Sequence, residues 1–81
     1  MHSLSPSDLN ILLVEPSAMQ RKIIIQQLRV EHVEAIDQAE NCQQAMDRIR
    51  AVRPDLVISA LHFEDGTAVE LLKQIRNDAN L

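Results

Sequence analysis

Aromatic residues are almost missing from this chain: Phe63 stands alone among 81 residues, with no Trp and no Tyr. That removes the stacking platforms on which single-stranded nucleic acid is usually held. Glycine is as scarce, with Gly66 the single example, so neither a glycine-rich phosphate loop nor a dinucleotide fingerprint can be built. One cysteine, Cys42, allows no internal disulfide and fits a reducing compartment. Apolar runs such as Ile11-Leu12-Leu13-Val14 fall far short of a membrane span. Nor is there any block of like charge: 12 acidic and 8 basic residues are scattered, giving a net charge of −4 and no electrostatic footprint for a phosphate backbone. Direct nucleic-acid binding and membrane association are therefore not expected.

Aliphatic residues dominate what is present. Leu, Ile, Val and Phe make up 25 of the 81 residues, well above the level of disordered chains, so one small folded domain is expected. Residues 1–8 read as a polar leader without the basic and apolar regions of a signal peptide. The chain reads as soluble and cytoplasmic, and residues 9–81 as the folded part.

Its hydrophobic period switches repeatedly. Residues 10–14 form a short apolar run, Ile11 to Val14 behind Asn10, as a parallel strand covered on both faces requires. After Pro16, Ser17 and Gln20 have the spacing of a capping box, and a helix is expected over about 18–29 with Ile24 and Leu28 facing the core. A less apolar strand within 33–39 suits a sheet edge. Asn41 and Gln44 cap a second helix, whose Cys42, Ala45, Met46 and Ile49 fall on one face. Pro54 ends it, and Leu56-Val57-Ile58 is the second uniformly apolar strand, leading to Ala60. A loop is expected over 61–66. Thr67 and Glu70 then cap a third helix with Ala68, Leu71, Leu72, Ile75 and Ala79 as its buried stripe. The order βαβαβα predicts right-handed crossovers onto one parallel sheet in the order 2-1-3.

Several separated motifs agree with one family. Ile11-Leu12-Leu13-Val14-Glu15, the helix opening at Ser17 with Arg21-Lys22, Ala39-Glu40-Asn41, Arg53-Pro54-Asp55-Leu56-Val57-Ile58 and Glu70-Leu71-Leu72 through Ile75-Arg76 resemble the receiver domain of bacterial response regulators. The resemblance implies an α/β, flavodoxin-like fold. It also implies two-component or phosphorelay signalling, in which an aspartate beside Mg²⁺ accepts a phosphoryl group from a histidine kinase.

The matched positions depart from that pattern at the site. The phosphoacceptor falls on Ala60, and the acidic pair after the first strand falls on Glu15 and Pro16. The proline and glycine usual in the following loop fall on Glu64 and Ala68. A methyl group cannot act as a nucleophile, and one carboxylate is a thin remnant of a Mg²⁺ site. The resemblance thus implies a degenerate, non-phosphorylatable receiver that is not an enzyme, has weak or lost Mg²⁺ binding, and acts through a protein partner. The sequence reaches Leu81 directly after the third helix, so a receiver cut short after that helix is expected. The alternative is an N-terminal fragment of a larger regulator whose output region lies elsewhere, and a small metal-dependent enzyme ranks below both.

Other residues invite readings of their own. Glu15, His62, Glu64 and Asp65 could gather around a metal, although a solvated loop with one vestigial acid is the preferred expectation. Cys42 lies near a helix N-terminus, but its place on the apolar stripe favours a buried, inert thiol. Consecutive Ile23, Ile24 and Ile25 cannot share one helix face, which makes Ile25 a candidate surface contact. Leu56 and Ile58 would line an open strand edge, which invites self-association or strand exchange.

Overall fold

The computed structural model describes residues 5–81; residues 1–4 of the polar leader lie outside the described residues. The rest of the leader forms a 3-10 turn, Pro6–Asp8, in which the Asp8 carboxylate accepts from the Ser5 N–H at 3.0 Å. Three strands then follow as expected, β1 Asn10–Val14, β2 Ala35–Ala39 and β3 Leu56–Ser59. They form a parallel sheet in the order β2-β1-β3, flanked by helices α1 Ala18–Val30, α2 Cys42–Val52 and α3 Ala68–Asn77. This is the 2-1-3 order that the periodicity predicts, and it is consistent with the flavodoxin-like half that the resemblance implies.

Local chemistry sets each boundary. Ser17 Oγ accepts the Gln20 N–H at 3.2 Å, Asn41 Oδ1 that of Gln44 at 2.9 Å, and Thr67 Oγ1 that of Glu70 at 3.2 Å. All three helices therefore start where the sequence places a short polar cap. The reciprocal half of each box differs from expectation: Glu15 rather than Gln20 accepts the Ser17 N–H, Gln44 accepts from Glu40 rather than from Asn41, and Glu70 accepts from the Thr67 hydroxyl. Helix α1 ends in a Schellman motif. The His32 N–H reaches the Arg29 carbonyl and the Val33 N–H the Leu28 carbonyl, with His32 at φ 68°. Helix α2 ends with Arg53 at φ 52° before Pro54. Both left-handed positions lack glycine, because the one glycine sits elsewhere.

Register explains the burial. Because parallel strands hold paired residues on one face, Leu12 and Val14 share a side with Val57 and Ala39. These join Cys42, Ala45, Met46, Ile49 and Leu71 in one core, with Phe63 and Ile75 packed against it. The chain places β2 on one side of β1 and β3 on the other, so right-handed connections put α1 on the opposite face of the sheet from α2. That second side receives Ile11 and Leu13, both buried, with Leu56 and Ile58 as register partners.

Four expectations change in detail. The α3 stripe is narrower than its period, since Leu72 is 46% exposed and Ala79 lies beyond the helix. Strand β3 is only half-buried and Leu56 is 48% exposed, because it pairs with β1 alone. No residue of α1 is fully buried: Ile24, Ile25 and Leu28 are half-buried, and the outward isoleucine is Ile23 rather than Ile25. Finally, 61–66 is not simply a loop. His62–Phe63 and Gly66–Thr67 pair antiparallel as β4 and β5 around the turn residues Glu64 and Asp65.

Candidate functional site

In an open parallel sheet the chemistry collects beyond the C-terminal ends of the strands. Here Val14 and Ser59 are in register, so the residues that follow them, Glu15 and Ala60, leave the sheet side by side. Backbone bonds hold both: the Glu15 N–H donates to the Ala39 carbonyl and the Ala60 N–H to the Val14 carbonyl, each at 2.9 Å. Ala60 is half-buried and offers a methyl group where the resemblance implies a carboxylate. Ser59 does not replace it, because its hydroxyl donates to the Ala60 carbonyl at 2.7 Å.

Glu15 is also engaged. Its Oε2 accepts the Ser17 N–H at 2.6 Å, which makes it part of the cap of α1. Beside it a cavity of about 90 Å³ is lined by Pro16, Glu40, Asn41 and Glu64. The structure therefore brings Pro16 and Glu64 together, two of the site positions singled out from the sequence, and adds Glu40 and Asn41, which the sequence marks only as a motif and a helix cap.

Arg21 was noted only as part of a motif, yet it organises this end of the molecule. Its Nη1 donates to the Glu15 carbonyl at 2.7 Å and the Pro16 carbonyl at 3.2 Å. Its Nε reaches Gln38 at 3.1 Å, and Nη2 lies 3.5 Å from the Glu40 carboxylate. A cation four residues beyond a helix cap is the only sequence signal for this role.

The four candidate metal ligands part company. His62 is exposed on β4, and Glu64 lines the small cavity. Asp65 turns away to the first turn of α2, accepting the Cys42 N–H at 2.9 Å and the Gln43 N–H at 3.0 Å. Those two donors hold the Asp65 carboxyl below the usual aspartate value. Among the described residues no three of His, Cys, Asp and Glu gather in a way that could hold a metal ion. Mg²⁺ wants an octahedral shell of oxygens that includes a carboxylate or two. Glu15 is tied to a backbone N–H, Pro16 and Ala60 carry no side-chain donor, and both loop carbonyls face a guanidinium, so these residues do not fit that ion.

Cys42 is buried, as the apolar stripe predicts. Burial first, and then the nearby Asp65 charge, push its thiol above the ordinary cysteine value, which favours the unreactive protonated form. Leu56 is an exposed residue of the β3 edge and Ile58 a half-buried one. No described helix is long and apolar enough to cross a membrane.

No protein-family model matches the chain. Over 71 residues, 86% of its length, the chain is 31% identical to a protein-glutamate methylesterase/protein-glutamine glutaminase from Desulfotalea psychrophila. It spans only 20% of that relative's length. Together with the β2-β1-β3 sheet and the motifs at its strand ends, this similarity points to a receiver-like domain.

Proposed function

We propose that this chain is a degenerate receiver of two-component or phosphorelay signalling, working through protein-protein interaction and not through phosphoryl chemistry. The observation that carries the reading is Ala60 at the end of β3, next to the Glu15-Pro16 end of β1. A phosphoryl acceptor must supply a carboxylate oxygen, and transfer without positioned metal and nucleophile loses most of its catalysis. On this reading the protein is not an enzyme, Mg²⁺ binding is weak or lost, and the protein resides in the bacterial cytoplasm with a signalling protein as partner. The half-exposed β3 edge, with Leu56 and Ile58, supports a second role in self-association.

Acetyl phosphate with Mg²⁺, followed by intact mass, tests the reading directly. No phosphoryl adduct is expected, and beryllium fluoride should leave the amide spectrum unchanged. A stable adduct would overturn it. Ala60→Asp alone should still fail to take up phosphate, because Glu15 remains tied to Ser17 and Pro16 supplies no second acid.

A second reading, a domain of a larger regulator with an output region elsewhere, is favoured by one observation: the matched 71 residues make up only 20% of the relative's length. The open reading frame decides between the two. A small metal-dependent enzyme has least support, since the Glu15 and Asp65 carboxylates already accept backbone N–H groups.

A further inference from the structure

Two strands of two residues each bury little by themselves, yet the β4–β5 hairpin is fastened at several points. Phe63 packs against the main core. At its base the Ala68 N–H donates to the Leu61 carbonyl at 2.9 Å. At its tip the Asp65 carboxylate accepts the first two N–H groups of α2, while the Asn41 side chain accepts the third. A single carboxylate from a distant turn thus supplies two of the four partners that a helix start needs.

Gly66 brings the backbone down onto Cys42. A Cβ added there would sit 3.4 Å from the Cys42 Sγ, and that sulfur lies 3.8 Å from the Thr67 carbonyl oxygen. The thiol is therefore sealed by the hairpin backbone above it and by the core beneath. Helix α2 is anchored beyond the hairpin as well, since Ala45, Met46 and Ile49 share one core with Leu12, Val14 and Ala39 of the sheet.

We propose that the β4–β5 hairpin is a hinged cover on the start of α2, closed by Asp65, which opens without unfolding of the sheet and exposes Cys42 only when open. Residues 60–61 form one hinge, and the Thr67 cap of α3 marks the other. Leu61 is 71% exposed at the first hinge, so a protein that contacts the end of β3 acts directly on the cover. The inference stands on the hairpin geometry and does not depend on the receiver reading. Cys42 serves as its reporter.

Labelling of Cys42 by a thiol reagent across a urea series below the unfolding transition tests it, with global unfolding followed by circular dichroism. Local opening releases Phe63 alone from the core and exposes far less surface than global unfolding, so the labelling rate should be nearly flat in low urea and rise steeply only where global unfolding takes over. Asp65→Asn, which can accept through only one atom, should raise the flat rate about tenfold. Ser17→Ala removes a cap on the other side of the sheet and should leave that flat rate unchanged. Labelling that climbs from zero urea with the slope of global unfolding overturns the proposal in the wild-type protein alone. An Asp65→Asn protein with wild-type rates overturns it as well.

Discussion

The two faces of the sheet are built from similar residues and covered very differently. On one, Leu12, Val14 and Ala39 meet α2 and α3, and four residues of α2 are buried. On the other, Ile11 and Leu13 are buried, but α1 contributes no fully buried residue and Leu56 remains half-exposed. A helix can carry an apolar stripe and still be thinly packed if nothing lies beside it. Most of the hydrophobic stabilisation therefore resides on the α2 side, and α1 is held chiefly by its ends: the Ser17 cap, the Arg21 contacts and the Schellman motif at His32.

The largest effect that could break this contrast is a core truncation on each face. Met46→Ala should cost about 2–5 kcal/mol and Ile24→Ala clearly less, read from urea midpoints, because only Met46 leaves a closed cavity. Equal losses would mean that α1 is as well packed as α2. Cap removal comes next. Asn41→Ala should cost about 1 kcal/mol and Ser17→Ala no more than that, since fraying of α1 exposes less apolar surface. A smaller change, of opposite sign, is expected from His32→Gly. Relief of the left-handed backbone should raise stability by up to about 1 kcal/mol in the same measurement.

Surface charge should matter least. Removing the exposed Arg48 partner of Asp37 should shift stability by about 0–1 kcal/mol. Acid sharpens the same point. Asp65, held down by the Cys42 and Gln43 N–H groups, and Asp78, held down by the Asn80 N–H and Arg50, both have folded values below the ordinary aspartate value. Their contribution is fully present above that ordinary value and is lost as pH falls through the lower folded one. Thermal midpoints of wild type and Asp65→Asn should therefore differ at neutral pH and begin to converge only as pH falls below about 4.

Much of this was legible in the sequence, for reasons that show where legibility ends. Uniform apolar runs and capping residues fix the strands, the helix starts and the 2-1-3 order, because each is a local signal. The exposure of Leu72 and the inward turn of Ile25 depend on which neighbours cover a face, and periodicity carries no such information. The β4–β5 hairpin escaped because two-residue strands have no period to read, although Asp65-Gly66 marked a turn. At the site, Ala60, Glu15 and Pro16 were found by alignment to a family pattern. Arg21 was missed as an organiser because its side-chain partners, Gln38 and Glu40, come from β2 and the turn after it and meet it only in three dimensions.

The same arginine gives the end of the sheet a fixed electrical character. A guanidinium presents its N–H donors in a rigid planar fork, so Arg21 holds the Glu15 and Pro16 carbonyls and the Gln38 and Glu40 side chains at once. The hairpin opposite is held by a carboxylate that acid can discharge. One loop at this rim is thus soldered in place and its neighbour merely clipped. Under the proposal above, the clip is where this rim opens.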